Sequence, residues 1–437
     1  MTNLEIGIWG IAAALILLLI RVPIGVALGS VAILGMTATH GWPVALGIVK
    51  AIPYDLIGDW NFSAVPMFLL MGLIASNCDL TKGLFQAARI YMGRVPGGLA
   101  SGTVVTSALF AAASGSSVAT ASAFSRIAVP EMLKSRYDPA LATGCVAVAG
   151  TLGSLIPPSL IMIVYGIMMS TSIAELFLAG ILPGILSAAM FILYITIRVL
   201  INPSIAPKEE KTNFTSQDRR AALRDIWPLP LIIVSVIGGI FLGIFSATEA
   251  GAVGAALVCL IASLRGKLNF EILRISLSST VRSTASIFMI IVGAAIFQRF
   301  MSLTGVPAET ALWITGFADT NLEVLILISI IYLILGMFLD SISVMLLTLP
   351  ILLPILQNFG IDLVWFGIIV VKLLEIGLVT PPLGMNVFVI KAAMGNAIRT
   401  GTIFRGAAGF IAVDLITLIL LILFPVITLW LPGNMIR

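Results

Sequence analysis

Apolar positions dominate this chain and gather into runs of about 20 residues, the length a helix needs to cross a hydrocarbon core. They cover 6–20, extended by 24–36, then 227–245, 253–264, 324–337 and 407–431. Two further apolar stretches carry small and polar residues at their centres. The stretch 97–132 reads AAASGSSVATAS in its middle, and 322–357 reads GMFLDSISVM. Each is followed by a helix interrupted by a Pro-Pro pair, GTLGSLIPPSLIM at 150–162 and EIGLVTPPLGMN at 375–386. Proline lacks an N–H and clashes with the preceding turn, so the pair breaks a helix, while glycine ahead of it permits an unwound stretch.

The two interrupted regions predict an internal repeat. At an offset of 224 positions, Ser117 falls on Ser341, Pro130 on Pro354, Asp138 on Asp362, Val146 on Val370 and Gly153 on Gly377. Pro157 and Pro158 fall on Pro381 and Pro382 without a gap.

Composition makes the bilayer the solvent. The chain has 437 residues, 59% hydrophobic and 10% charged, against about 25% charged in a soluble domain. The formal charge of +4 does not point to nucleic acid, because no basic run is interleaved with aromatics. Cys78, Cys145 and Cys259 form no CxxC pair, and His40 is the single histidine, which excludes a two-His zinc site and a haem His pair. No Lys or Arg precedes the first apolar run, so a cleaved signal peptide is not expected and the run is read as a first span.

The basic residues orient the spans. Arg21, Lys82, Arg89, Arg94, Lys134, Arg136, Arg198, Lys208, Lys211, Arg219, Arg220, Arg224, Arg265, Lys267, Arg274, Arg282, Arg399 and Arg405 all fall on one side if the first span runs inward. Lys50, Arg299 and Arg437 remain opposite. The Lys/Arg-rich side is cytoplasmic. This places both termini and His40 outside, with about ten full crossings at ~20 residues each. The stretch 97–132 then enters from the cytoplasmic face and 322–357 from the outer face. Both read as re-entrant hairpins, and the repeat is inverted. Backbone ending at that depth requires protein or an aqueous cavity around it. The expected fold is an all-α polytopic membrane protein with two such hairpins and two discontinuous helices. Scaffold helices occupy 1–96, the first transport repeat 97–172, connecting scaffold helices 173–321 with a cytoplasmic loop at 202–226, the second repeat 322–398, and a last helix 399–437.

Inverted repeats with broken helices are a plan of secondary transporters, in which unwound carbonyls replace the hydration shell of Na⁺. Half-helix N-termini suit an anionic solute. Hydroxyls at the tips supply neutral oxygens: Ser114, Ser116, Ser117 and Thr120 at the first, Ser341 and Ser343 at the second. Any one such hydroxyl is more often a packing residue. The SGSS cluster beside a tip, and two Pro-Pro breaks at related positions, favour ligation. Ions inside spans cost about 2.5–3.5 kcal/mol on insertion scales, so each needs a reason. Asp340 is a candidate cation ligand, with orientation of the tip as the competing role. Arg126 is a candidate for a substrate carboxylate, with snorkelling as the alternative. Lys372 and Glu375, three apart, are expected to pair with each other. Glu249 is expected to serve a helix N-terminus.

The run SALFAAASGSSVATASAFSRIAVPEM, then YDPALATG, GTLGSLIPPSLIMIVYG and LFLAGILPG, and later TEAGAVGA, GMFLD, PILLPI and GLVTPPLGMNVFV, resembles the large membrane subunit of TRAP transporters, the DctM-like family. The resemblance spans essentially the whole chain. It implies an elevator-type fold and two partners, a small four-helix membrane subunit and a periplasmic solute-binding protein. It implies sodium-driven uptake of small organic anions such as C4-dicarboxylates, sialic acids or sugar acids across the bacterial inner membrane, with no enzymatic activity and no cofactor beyond Na⁺ as coupling ion. It places one sodium site at Ser114, Gly115, Ser116 and Ser117 with Gly150, Gly153 and Pro157. The second is placed at Asp340 and Ser341 with Thr380, Pro381, Gly384 and Asn386. Arg126, Thr120 and Ser343 are the candidate substrate contacts. Ile156 stands where Thr380 stands in the second break, so the two sites differ in chemistry.

Three other readings compete. A stand-alone sodium/dicarboxylate symporter of the same superfamily would share the hairpins. An intramembrane protease needs a Ser–His pair, paired aspartates or HExxH, and none stands here. A channel fits two asymmetric half-sites less well than alternating access does.

Overall fold

The computed structural model describes residues 2–80, 83–93, 95–207 and 215–436. Lys82, Arg94, Lys208, Lys211 and Arg437, used above to orient the spans, lie outside the described residues, as does part of the 202–226 loop. The described residues are helical and contain no strand.

Helices α1 (Asn3–Leu19), α2 (Ile24–His40), α3 (Trp42–Gly58), α4 (Ala64–Asn77) and α5 (Gly83–Met92) precede the first hairpin. Its arms are α6 (Gly98–Ser114) and α7 (Ser117–Lys134), and the broken helix behind it is α8 (Pro139–Ala149), α9 (Leu152–Leu155) and α10 (Leu160–Met168). The connection runs through α11 (Ile173–Ile201), α12 (Ser216–Ile226), α13 (Pro228–Phe241), α14 (Ala247–Leu264), α15 (Phe270–Thr304) and α16 (Val306–Thr315). The second hairpin is α17 (Asn321–Gly336) with α18 (Ser341–Asn358). Its broken helix is α19 (Leu363–Gly377) and α20 (Met385–Met394), followed by α21 (Thr400–Leu423) and α22 (Val426–Gly433).

Among the described residues, six helices are long and apolar enough to cross a membrane, or eight if each of two bent pairs counts as one span. That is fewer than the ~10 crossings expected from span length. Several apolar helices, α1, α2, α6 and α17 among them, are only 16–17 residues long. At about 1.5 Å rise per residue they reach ~25 Å, short of a ~30 Å hydrocarbon core.

The repeat appears in the caps as well as the helix order. Asp138 and Asp362, equivalent at the 224 offset, cap α8 and α19, accepting from the amides of Leu141 and Trp365 at 2.9 and 2.8 Å. Ser116 and Asp340 hold the same relation and cap α7 and α18. A cap at this position takes an amide that the first turn leaves unpaired. Glu249 has the structural role expected of it, closing a capping box with Ser246 at the start of α14.

The repeats interlock. Within the first, α6 and α7 both pack on α8 and α9. The far halves of the broken helices cross over: α20 packs on α7 and α8 of the first repeat, and α10 packs on α18 and α19 of the second. Tyr165 of α10 seals one crossing by donating to the Leu363 carbonyl at 2.6 Å.

Candidate functional site

The first tip and the first break are built against each other. Gly115 turns the chain between α6 and α7 with φ 60°, and a Cβ there would meet the Pro158 carbonyl oxygen at 2.8 Å. The tip needs glycine twice over, for the left-handed backbone and for the approach. Gly153 sits with its missing Cβ 2.8 Å from the Ser116 carbonyl carbon and oxygen, and Gly150 lies against Ala121 and the Ser117 carbonyl. Ser117 Oγ is 2.8 Å from Ser154 Oγ, and Ser114 Oγ is 3.0 Å from Thr120 Oγ1. Pro157 and Pro158 are buried, and their mutual peptide bond is cis. The structure therefore brings Ser114, Gly115, Ser116, Ser117, Thr120, Gly150, Gly153 and Pro157 into one locality.

The second region is looser. Pro381 and Pro382, also joined by a cis bond, are exposed, and so is Leu383. Gly377, the repeat equivalent of Gly153, presses on the last turn of the first arm, its missing Cβ 2.7 Å from Gly336 Cα. Gly384 starts α20 with φ 53°. Pro381 and Pro382 have no N–H to give the carbonyls of Gly377 and Leu378, which would be expected to stay unpaired for an ion, yet both are satisfied. The Gly377 carbonyl accepts from the Thr380 amide, and the Leu378 carbonyl from the Asn386 amide, both at 3.1 Å. The chain doubles back after the break and repairs them. Thr380 Oγ1 donates to the Ile376 carbonyl at 2.6 Å. Asn386 is fully buried and donates to the Ala147 carbonyl of the first repeat at 3.2 Å, while its Oδ1 has no partner. Ser341 Oγ is also buried without a partner.

Asp340 is occupied within its own hairpin, where its carboxylate accepts from the amide and the hydroxyl of Ser343. No hydrogen bond among the described residues joins Asp340 to Thr380 or Asn386. Arg126 is exposed on α7 and makes no hydrogen bond or ion pair among them.

The expected pairing of Lys372 with Glu375 does not form. Lys372 Nζ is bonded to Asp414 of α21, and to Ser187 Oγ of α11 at 2.8 Å, with the Phe191 ring centroid 5.6 Å away. Glu375 turns to the other repeat and accepts from Ser117 Oγ at 2.5 Å. A buried ammonium needs several partners, and two elements outside α19 supply more than one carboxylate three residues on would. Asp414 and Ser187 escaped the sequence reading. A lone acid in the apolar run GFIAVDLITLIL was the available signal, since such a residue calls for a partner.

A sequence profile for the DctM component of tripartite ATP-independent periplasmic transporters matches residues 11–427. The chain belongs to this family. The C4-dicarboxylate TRAP transporter large permease protein DctM of Pseudomonas aeruginosa is 35% identical over 378 residues, covering 86% of each chain. The sialic acid TRAP transporter permease protein SiaT of Haemophilus influenzae is 31% identical over 424 residues, covering 97% of this chain and 67% of SiaT. Among solved structures, the YdaH transporter of Alcanivorax borkumensis superposes with a TM-score of 0.65 over 97% of this chain and 98% of that one. At 14% identity that likeness speaks for the fold alone. The DctM chain is thus a multi-pass membrane protein whose relatives are named as transporter permeases.

Proposed function

We propose that this DctM chain is the subunit of a bacterial inner-membrane TRAP transporter that moves a small organic anion inward, driven by sodium. A small membrane subunit and a periplasmic binding protein are its partners. The observation that carries the reading is the pair of tip-and-break regions, each dense in oxygens, within a chain of this family. Two residues assigned to the second sodium site, Ser341 and Asn386, keep buried side-chain oxygens without partners. A buried polar atom left unpaired costs about 1–3 kcal/mol, and a small cation offsets that cost at several oxygens together. The donor set of hydroxyl, amide and carboxylate oxygens suits Na⁺ as a hard ion. The substrate would lie beside the tips, with Thr120, Ser343 and Arg126 toward its polar groups. The two hairpins and their broken helices would travel together past the flanking helices in an elevator motion, as their interlocking favours.

A relative acting on a C4-dicarboxylate and another on sialic acid support the class of organic anions without choosing a member.

The test is reconstitution into proteoliposomes with an imposed sodium gradient, with and without a small subunit and a binding protein of this transporter class. Uptake should require all three and the gradient. Full sodium-driven uptake by the single chain would move the assignment to a stand-alone symporter. Uptake indifferent to sodium would overturn the coupling.

A further inference from the structure

We infer that the Glu375 carboxylate is the charged ligand of the first repeat's cation site, contributed across the join by the second repeat. This rests on the sodium-coupled reading above. Glu375 is 1% exposed, as buried as Ser117 at 3% and Ser154 at 2%. One of its oxygens accepts from Ser117 Oγ at 2.5 Å, and that hydroxyl is 2.8 Å from Ser154 Oγ. The other, Oε1, is buried and has no hydrogen-bond partner.

The surrounding charges do not neutralise it. Lys372, on the same helix, is bonded to Asp414, and the two cancel each other. No other ion pair among the described residues reaches α19. An ionised Glu375 therefore carries one negative charge with nothing opposite it. Such a charge, away from water, is sustained only with a counter-charge close by.

The neighbourhood supplies the rest of a sodium shell. Ser117 and Ser154 offer neutral oxygens. Pro157 and Pro158 have no N–H to give the carbonyls of Gly153 and Ser154, which leaves main-chain oxygen at the break. Gly153 keeps the break pressed on the Ser116–Ser117 peptide, so these oxygens and the carboxylate share one locality. A cation seated there binds two repeats together. Occupancy of the first site thereby becomes a condition on how the second repeat sits.

The experiment follows thermal unfolding of the full chain in lipid nanodiscs as choline is replaced by sodium. A ligand that binds only the folded state raises the midpoint by mass action, so the titration yields an apparent Kd for Na⁺. It is repeated in Asn386→Ala, to separate the second repeat's contribution. Glu375→Gln should raise that Kd at least tenfold, while its midpoint in choline stays level or rises, because an uncompensated charge has been removed. An unchanged Kd in Glu375→Gln would mean that the carboxyl carries a proton instead, and would overturn the assignment. Should that variant fail to fold, Ser154→Ala is expected to raise the Kd several-fold, and an unchanged value there overturns it equally. A wild-type chain with no sodium-dependent shift would sink the sodium reading itself, whereas a shift that Glu375→Gln leaves at the wild-type Kd sinks this inference alone.

Discussion

The two repeats share a plan and differ in how tightly it is closed. In the first, tip and break are buried on each other, with prolines inside and glycines pressed on the tip's peptide groups. In the second, the prolines face outward, the break presses on an arm rather than on the tip, and the carboxylate at the tip serves its own helix. The partnerless oxygens of Ser341 and Asn386 belong to the second, while the first borrows its nearest carboxylate, Glu375, from it. One repeated motif has thus produced a closed, hydroxyl-lined region and a more open one. The asymmetry follows from which residues stand at equivalent positions: Ser116 against Asp340, and Ile156 against Thr380.

The largest effect is expected where the second repeat meets α21. Lys372→Met leaves Asp414 buried without a counter-charge, a loss of about 3–5 kcal/mol. The double change Lys372→Met with Asp414→Leu should recover most of it. Denaturant or thermal unfolding in lipid checks this, and a double variant no more stable than the single would break the view that the pair is needed only as a pair.

Next come the matched glycines. Gly153→Ala forces a methyl to within 2.8 Å of the Ser116 carbonyl, and Gly377→Ala to within 2.7 Å of Gly336 Cα. Overpacking of this kind costs about 1–3 kcal/mol. Both should lower uptake, Gly153→Ala more, because it displaces the tip itself. Equal losses would erase the distinction between a closed and an open break.

Sodium dependence gives a smaller, sharper contrast. Asn386→Ala removes a buried, partnerless oxygen and should raise the sodium needed for half-maximal uptake about tenfold, equivalent to ~1.4 kcal/mol. Thr380→Ala should do less, since that hydroxyl is already bonded to the Ile376 carbonyl. Wild-type sodium curves for both would remove the second site from this break.

The smallest effect is expected at Arg126, which is exposed. Arg126→Lys keeps the charge and loses the planar fork that grips a carboxylate. It should weaken apparent solute affinity a few-fold, read from uptake at graded solute concentrations. No change would leave Arg126 with its snorkelling role.

The features legible in the sequence are those whose causes lie within a few residues. A proline without an N–H interrupts its own helix, and an aspartate caps an amide three positions on. Both breaks and the role of Glu249 at the start of α14 could be read for that reason, whereas Asp138 and Asp362 stood out only as a matched pair until the structure placed them as caps. Arrangements decided by the tertiary structure join residues far apart in the chain. Lys372 and Asp414 are 42 positions apart, and Ser117 and Glu375 are 258. A charge in a span announces that it needs a partner, because the bilayer offers no water. Which partner it finds depends on which helix faces it. The spacing of Lys372 and Glu375 suggested each other, and packing sent one to α21 and the other to the opposite repeat.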